Sequence, residues 1–238
     1  MKVRLTRFTT DPVMAIEEAA SKCYDSQPSP EGRITNNCLR SGHTSVVEHV
    51  SFTWEIEGVS RALLAQLTRH RVASFSVQSQ RYVKYNGGFN YVTPPSIIAL
   101  GAEAVESYKQ DMEYLNQAYN RWLSMGIDAE DARMVLPNAC CTTLTVTMNL
   151  REFMHFCNER LCARAQWEIR SLCKEMVKCV NEATDGAFAY YLVPKCEKHK
   201  GFPFCTESKE KSCDKHPTLK EVYGRPRSEI KTNKQEEI

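Results

Sequence analysis

The chain has 238 residues, with 31 basic and 29 acidic side chains and a net charge of +2. This near-neutral balance argues against a protein that binds nucleic acid through a global positive field, and the length suits one domain with a substantial core. The eleven cysteines are an odd number scattered through apolar patterns, which favours a reducing cytoplasm over a disulfide framework. We expect no secretory signal at the N-terminus and no membrane span, because no window is apolar for long enough.

The first sixty residues predict two strands and two helices. Residues 2–8 alternate between polar and apolar side chains, which predicts an edge strand. Asp11, followed by a proline, predicts the start of a helix that runs to residue 22, because Asp caps a helix and Pro fits its first turn. A shorter helix is predicted over residues 36–42 and a strand over residues 50–56.

The remaining predicted elements are mostly helices, with one further strand. Apolar side chains recur there at spacings of three and four, which is the period of a packed helix. The predicted helices cover residues 59–69, 96–124, 129–135, 150–161 and 164–182, and the predicted strand covers residues 140–148. We therefore predict a mixed α/β (α+β) domain over residues 1–193, followed by a polar, Cys- and His-containing tail over residues 194–238.

The most distinctive stretch is the arginine-rich segment from Arg69 to Tyr82, which contains no acidic residue. It begins Arg-His-Arg and has a further arginine, Arg81, near its end, with serines and glutamines between them. Arginine forks bind phosphate oxygens bidentately, so the segment suits an anion with many acceptors. A solvated surface loop is the ordinary alternative. The predicted helix before the segment places Gln66 and Arg69 on one face, which favours a site on a rigid support.

The sequence also lacks the motifs of several kinds of chemistry. It has no His-Glu-x-x-His zinc motif, no Walker phosphate loop and no Gly-x-Gly-x-x-Gly motif. Arginines and amides bind anions and polarise a substrate, but they seldom perform redox chemistry without a cofactor. The residues alone therefore predict a cofactor-dependent, arginine-rich site for phosphorylated ligands.

Several separate blocks of the sequence resemble the flavin-dependent thymidylate synthases (the ThyX family). The central block is Arg-His-Arg at residues 69–71, followed after seven residues by Ser79. The others are Gly-His-Thr-Ser-Val-Val-Glu-His at residues 42–49, Arg-Met-Val-Leu-Pro at residues 133–137, and the stretch 149–169. The resemblance covers residues 1–193. The chain has Ser76-Val77 where the family often has Asn-Glu.

The resemblance implies a thymidylate synthase-complementing protein fold, with a central antiparallel sheet and long helices. It implies a homotetramer whose sites are shared between subunits, and it implies methylation of dUMP to dTMP. The carbon would come from 5,10-methylenetetrahydrofolate, and FAD reduced by NADPH would carry the hydride. Because the family needs no cysteine nucleophile, the adjacent Cys140 and Cys141 are interpreted as strand residues.

The resemblance also implies roles for individual residues. Arg160 would be the catalytic residue, because a guanidinium beside the uracil favours ionisation at N3 and so enriches C5 in electrons. The residues implied to bind dUMP are Gln66, Arg69, Ser79, Gln80, Arg81, Arg133 and Arg160. Those implied to bind FAD are Ser45, Arg69, His70, Arg71, Asn149, Leu150, Arg151 and His155.

The polar tail contains cysteines and histidines whose spacing suits zinc. Cys-x-x-His occurs there twice, and thiolate and imidazole are ligands of tetrahedral Zn²⁺. A metal-free tail and a tail crosslinked on oxidation are the alternatives. The candidate ligands are Cys196, His199, Cys205, Cys213 and His216. The last dozen residues are polar, and we expect them to be disordered.

Two other functions compete with this interpretation. The loop from Arg69 to Arg81 could serve a non-catalytic RNA- or nucleotide-binding module, in which the aromatic residues that follow would stack on bases. The near-neutral net charge argues against such a module. A related flavoprotein that methylates another pyrimidine is the second alternative, which uracil specificity would exclude.

Overall fold

A computed structural model describes residues 1–199 and 201–224 of the chain. These residues contain a four-stranded antiparallel sheet with the strand order β1-β2-β4-β3. The strands are β1 (Lys2–Phe8), β2 (Ser51–Ser60), β3 (Ala73–Val77) and β4 (Cys141–Asn149). The predicted α+β fold with a central antiparallel sheet is confirmed, and β1 lies at an edge of the sheet, as predicted.

Strand β3 was not predicted, although it lies within the arginine-rich segment. Its odd-numbered residues are half-buried, whereas Ser74 and Ser76 are exposed. This alternation with a period of two is the pattern of a strand with one buried face. β3 pairs with residues 144–148 of β4. The segment is therefore not a continuous loop, because a short edge strand separates its two polar ends.

Nine α-helices accompany the sheet in the described part of the chain. They are α1 (Pro12–Lys22), α2 (Arg33–Arg40), α3 (Arg61–Leu67), α4 (Pro95–Ala99), α5 (Ala102–Ser124), α6 (Ala129–Ala132), α7 (Leu150–Arg160), α8 (Trp167–Ala183) and α9 (Leu219–Tyr223). The cap predicted for α1 is confirmed, and α7 has a cap of the same kind. Asp11 accepts a hydrogen bond from the Met14 N–H at 3.3 Å, and Asn149 accepts one from the Glu152 N–H at 2.9 Å. None of the described helices has both the length and the apolar character needed to cross a bilayer.

The prediction of a single helix over residues 96–124 is wrong, because the structure has two helices there. α4 ends at Ala99, α5 begins at Ala102, and Gly101 between them adopts a φ of 100°. Residues with a side chain rarely adopt this conformation, so the glycine both ends one helix and permits the turn to the next. The other helix boundaries differ by smaller amounts; α2, for example, begins at Arg33, three residues before the predicted start.

The main hydrophobic core is formed by the sheet and helices α3, α7 and α8. Trp54 of β2 is fully buried, and the centroid of its ring is 4.8 Å from that of Phe153 of α7. Phe52 and Ile56 are each two residues from Trp54 along β2, so they lie on the same face of the strand, and both are also fully buried. A smaller cluster of buried side chains consists of Phe89, Met112 and Cys140. The core thus supports α3 and α7, which present the polar residues described below.

The tail is described from residue 194 to residue 224, apart from residue 200. It folds as short 3₁₀ turns followed by α9. No described residue beyond Leu192 belongs to either hydrophobic cluster. The expectation of disorder for the last dozen residues concerns positions outside the described residues.

Candidate active site

A buried carboxylate fixes the start of helix α3. Ser60 caps this helix, because its Oγ accepts a hydrogen bond from the Leu63 N–H at 2.9 Å. The buried Glu168 of α8 accepts hydrogen bonds from the Ser60 N–H at 2.8 Å and from the Ser60 Oγ at 2.5 Å. β2, α3 and α8 are thereby joined at one point. The residues at the far end of α3, Gln66 and His70, are therefore held on a rigid support.

His70 is the centre of a polar cluster at this far end. It is 6% exposed, and both of its ring nitrogens have partners. The Arg160 Nε–H donates a hydrogen bond to His70 Nε2 at 3.0 Å, and His70 Nδ1 lies 3.2 Å from Glu152 Oε1. Because a guanidinium only donates, the ring proton is on Nδ1 and is donated to Glu152. We call His70, Glu152, His155 and Arg160 the histidine group.

The surroundings of His70 oppose its protonation. Burial, followed by the nearby Arg160 and His155, lowers the pKa of His70 from 6.5 to about 4. Burial also raises the pKa of the Glu152 carboxyl. The contact between His70 and Glu152 is therefore a hydrogen bond donated by a neutral imidazole at physiological pH. The fixed positive charge of the histidine group belongs to Arg160.

Helix α7 supplies the other members of the histidine group. Glu152 and His155 are three residues apart, so both lie on the face of α7 that meets His70. Arg160 is the last residue of the helix, and its Nη2 also lies 3.5 Å from the Gln66 carbonyl oxygen. Glu152 was not among the site residues predicted from the sequence. The spacing Glu-x-x-His within a helix that already carried a predicted ligand was the signal that could have identified it.

A second polar cluster lies beyond the other end of β3. The Arg81 Nε–H donates to Glu130 Oε2 at 2.7 Å, and the Arg133 Nε–H donates to the Glu130 carbonyl oxygen at 2.9 Å. Arg81 and Glu130 are both exposed, and the Arg81 guanidinium lies 5.4 Å from the centroid of the Tyr82 ring. We call Arg81, Glu130 and Arg133 the exposed arginine group. The sequence predicted its two arginines but not the glutamate that they share.

The residues before Arg81 hold this end of the segment in place. Gln80 is 7% exposed, and its Nε2 lies 3.7 Å from Cys140 Sγ. Ser79 Oγ accepts a hydrogen bond from the Arg81 N–H at 3.3 Å. Gln80 thus anchors the segment beside the start of β4, and Ser79 shapes the turn that presents Arg81.

The residues predicted to bind dUMP therefore fall into two sets. Gln66 contacts Arg160 of the histidine group, and Arg69 is the sequence neighbour of His70, just before β3. Ser79, Gln80 and Arg81 come just after β3, and Arg133 shares Glu130 with Arg81. An extended strand of five residues spans roughly 15 Å, at about 3.3 Å for each residue. The segments that carry His70 and Arg81 thus leave opposite ends of β3.

A large cleft of about 800 Å³ borders the histidine group. Arg151, His155 and Asn158 of α7 line one side of it. Cationic and aromatic side chains from other parts of the chain line the rest, among them Arg40, Tyr190, Tyr191, Lys198 and Phe202. Guanidinium and ammonium groups suit phosphates, and aromatic faces suit planar rings. The cleft can therefore accept a long ligand that carries both phosphate groups and planar rings.

Asn158 lines this cleft, and its amide group is turned toward its own helix. Its Nδ2 donates to the Met154 carbonyl oxygen at 2.7 Å. Its Oδ1 is buried and has no hydrogen-bond partner among the described residues.

Three of the residues predicted to bind FAD lie in or beside the cleft. Arg151 and His155 line it, and Arg151 forms an ion pair with Glu48. Ser45 is exposed and follows the lining residue Thr44. The pairing of Arg151 with a residue from the segment before β2 holds the two sides of this part of the cleft together.

The other predicted FAD residues have different surroundings. Leu150 is fully buried in the main core, and its N–H donates to the Val50 carbonyl oxygen at 2.7 Å. The Asn149 side chain is engaged in capping α7. Arg69 and Arg71 are exposed on either side of the buried His70. Leu150 and Asn149 thus position α7 itself, whereas the two arginines are accessible to a ligand.

Cys140 and Cys141 have the properties of strand residues. Burial, followed by Cys140 and Glu168, raises the pKa of the Cys141 thiol to about 11. Burial likewise raises the pKa of the Cys140 thiol. Thiols that remain protonated at neutral pH are poor nucleophiles, which agrees with the interpretation from sequence.

The five zinc ligands predicted in the tail do not converge as predicted. His199 lines the large cleft, and its ring stacks on Phe204 with an interplanar angle of 4°. The other four candidates, Cys196, Cys205, Cys213 and His216, line a smaller cavity elsewhere. No three of the five have ligand atoms within 4.8 Å of one another.

Comparisons with known proteins identify the family of this chain. Residues 4–184 match the family described as thymidylate synthase complementing protein. The flavin-dependent thymidylate synthase of Geobacter sulfurreducens is 45% identical over 191 residues, which cover 76% of this chain and 82% of that protein. That of Nitratidesulfovibrio vulgaris is 39% identical over 239 residues, which cover 91% and 95% of the two chains. That of Clostridium tetani is 37% identical over 248 residues, which cover 94% and 97%.

A solved structure supports the fold. ThyX from Helicobacter pylori, complexed with FAD and dUMP, matches this chain with a TM-score of 0.62 at 23% sequence identity. The match covers 78% of this chain and 97% of that one. The family match over residues 4–184 includes both the histidine group and the exposed arginine group. The chain belongs to the family of flavin-dependent thymidylate synthases.

Proposed function

We propose that this protein methylates dUMP to dTMP, with FAD as cofactor, 5,10-methylenetetrahydrofolate as carbon donor and NADPH as reductant. The observation that carries the proposal is the family match over residues 4–184, because this range contains every member of the two polar groups. The curated relatives are named for the same activity. The eleven free cysteines favour a reducing cytoplasm as the location.

We assign FAD to the large cleft beside α7. Arg151 and Lys198 are suited to its phosphates, and Phe202 is suited to one of its planar rings. His155 lies in both the cleft and the histidine group, so a ligand in the cleft reaches the neighbourhood of Arg160. When bound, FAD supplies the hydride that completes the methyl group. The chain's own residues bind the cofactor and orient it toward the nucleotide.

We assign the activation of the uracil ring to Arg160. Its Nε and Nη2 groups are oriented by His70 and by the Gln66 carbonyl oxygen. Among the described residues its Nη1 has no hydrogen-bond partner, so its N–H groups are available to a substrate carbonyl. A fixed cation beside the uracil stabilises the anion that forms when N3 loses its proton, and this anion has more electron density at C5.

The dUMP site is proposed to form between subunits of a homotetramer. One small nucleotide has to contact Arg160 and Arg81 together, yet β3 separates these residues within one chain. Large apolar side chains next to both polar groups are exposed: Val72 is 65%, Tyr82 76% and Met134 76% exposed. Contact between subunits would cover this apolar surface and bring the two groups together.

A visible absorption spectrum, recorded before and after the addition of dUMP, tests the ligands. We expect a flavin spectrum that shifts when dUMP is added, followed by dTMP formation with methylenetetrahydrofolate and NADPH. A protein that takes up no FAD would contradict the proposal. So would a protein that binds FAD and methylates a pyrimidine other than uracil.

Mixing two variants tests whether the sites are shared, provided that activity is assayed at a low dUMP concentration, at which each variant alone has little activity. Arg160→Ala and Arg81→Ala change different polar groups, so in mixed tetramers about a quarter of the shared sites would regain both arginines. We expect activity to return toward that fraction after co-expression. Arg81→Ala mixed with Arg133→Ala is the matched control, because both changes lie in one group and no site becomes intact. Equal activity in the two mixtures would contradict a shared site.

A further inference from the structure

The described part of the tail is folded without a hydrophobic core. Only Cys205 and Thr218 are buried between residues 194 and 224, apart from residue 200. These two residues form the one backbone bridge described within the tail. The ion pair between Lys195 and Glu207, at 2.8 Å, is partly exposed and so contributes little. A segment with so little buried apolar surface usually depends on a metal or a disulfide.

Four cysteines line a single cavity where this tail meets the main domain. The cavity has a volume of about 280 Å³. Cys162, from the connection between α7 and α8, lines it together with Cys196, Cys205 and Cys213 of the tail. None of the four is in a disulfide.

We propose that Cys162, Cys196, Cys205 and Cys213 bind one structural Zn²⁺ that fastens the tail to the end of α7. Four thiolates are a complete tetrahedral ligand set for structural zinc. On binding, four S–H bonds are replaced by four S–Zn bonds and four protons are released to solvent, which leaves a net charge of −2 at the site. The inference does not depend on the proposed activity.

The charges around the cavity complement such a site. Six cationic side chains line it, namely Arg164, Arg170, Lys174, Lys195, Lys211 and Lys215, of which Lys195 is paired with Glu207 and Lys215 with Glu197. Neighbouring cations stabilise thiolates, which are the form that binds metal.

Cys162 replaces the two histidines that the sequence suggested as ligands. His199 lies in the large cleft, and His216 lines the cavity with its Nε2 3.5 Å from Glu197 Oε1, but the four cysteines already complete a tetrahedral ligand set. The sulfurs are farther apart than in a loaded site, since no three ligand atoms at this cavity lie within 4.8 Å of one another. Zinc binding must therefore draw the tail toward Cys162. The short turns of the tail, which have no core to hold them, permit this movement.

Elemental analysis of the full-length protein tests the inference. The protein is purified under reducing conditions without chelator or metal-affinity resin, and zinc, iron and acid-labile sulfide are measured. We expect about one zinc for each chain. After exchange into Co²⁺, we expect the strong visible bands of tetrahedral cobalt thiolate. A protein without zinc, or one with iron and sulfide in its place, would overturn the proposal.

Matched substitutions test the ligand set. Cys213 is exposed, so Cys213→Ser leaves the core intact, and Cys162→Ser changes the main domain alone. Each is expected to reduce bound zinc to less than about a tenth of the wild-type content, because three ligands hold zinc far less tightly. Cys23→Ser, an exposed cysteine outside the cavity, and His216→Ala should both retain it. Full zinc content in Cys162→Ser, or its loss in His216→Ala, would refute the four-cysteine site.

Discussion

The histidine group and the exposed arginine group contain the same kind of side chain in opposite conditions. Arg160 is half-buried and its guanidinium is held by a neutral histidine, whereas Arg81 is exposed and pairs with a carboxylate. A buried hydrogen bond from a charged donor contributes about 1.5–3 kcal/mol, and an exposed ion pair about 0.2–1 kcal/mol. The contacts within one chain therefore hold the Arg160 guanidinium in position before a ligand binds. Arg81 can instead change its partner when a ligand or another subunit binds.

This difference suggests that the two groups have different roles in binding and in catalysis. A residue that stabilises charge during the reaction acts best when its geometry is fixed beforehand. A residue that captures a phosphate gains from exposure and can exchange its partner at low cost. We therefore expect changes in the histidine group to affect turnover and changes in the exposed arginine group to affect nucleotide affinity.

The largest expected effect follows from Arg160→Ala. Loss of a preorganised electrostatic group lowers kcat by about 10²–10³. FAD binding should persist, because the cleft keeps its other cationic and aromatic residues. Steady-state kinetics and the flavin spectrum measure the two effects separately. Arg4→Ala, an exposed arginine on β1, is the control and should keep its turnover. A near-wild-type kcat in Arg160→Ala would contradict the proposal that the histidine group controls turnover.

The buried condition of His70 predicts a pH dependence of stability. Its pKa is about 4 in the folded protein and 6.5 as the reference, so between these values the unfolded chain binds a proton that the folded chain does not. The stability gained by keeping His70 neutral is present above pH 6.5 and is lost as the pH falls toward 4, by about 3 kcal/mol in all. Glu152, with a raised pKa, contributes in the opposite direction as the pH rises above its ordinary value.

Urea unfolding at pH 8 and pH 5 measures this loss. We expect the wild type to lose about 2 kcal/mol more than His70→Asn over this interval, since most of the proton uptake by the unfolded histidine falls within it. His43→Asn changes an exposed histidine and is the matched control, in which the wild-type pH dependence should persist. The same pH dependence in His70→Asn and the wild type would show that burial of His70 does not control it.

Arg81→Ala is expected to weaken dUMP binding by about ten- to a hundredfold, the value of a charged hydrogen bond to phosphate, with little change in kcat. Titration with dUMP, followed through the flavin spectrum, measures the dissociation constant. Lys84→Ala removes a neighbouring exposed cation and should have a much smaller effect. A large fall in kcat for Arg81→Ala at saturating dUMP would mean that the two groups share one role.

The sequence predicted the parts of the site whose signals are local. Strands β1, β2 and β4 and the cap of α1 follow from patterns within a few residues, whereas the roles of Arg81, Arg133 and Arg160 were implied by the family resemblance of separate sequence blocks. Partners that arise only from tertiary contact were missed. Glu152 is 82 positions from His70 along the chain, and nothing near His70 in the sequence indicates which carboxylate will reach it.

Strand β3 and Cys162 show two further limits of prediction from the sequence. The alternation in β3 covers only five residues and was hidden by the charged residues at both ends of the segment. Cys162 lies in the main domain, outside the tail spacing that drew attention to zinc, so only folding brings it beside Cys196. The missed residues are therefore those whose role depends on an element distant in sequence.

The smallest expected effect is also the most direct test of the exposed arginine group. Glu130 accepts hydrogen bonds from both Arg81 and Arg133, but only its side chain competes with a phosphate for Arg81. Glu130→Gln removes the competing charge and keeps the backbone contact to Arg133. Because an exposed ion pair contributes at most about 1 kcal/mol, dUMP affinity should rise by up to about fivefold. Asp131→Asn, the exposed neighbour in α6, is the control, with no change expected. Weaker binding in Glu130→Gln would mean that Glu130 holds Arg81 in its binding position, and that the exposed group, like the histidine group, is prepared before the ligand arrives.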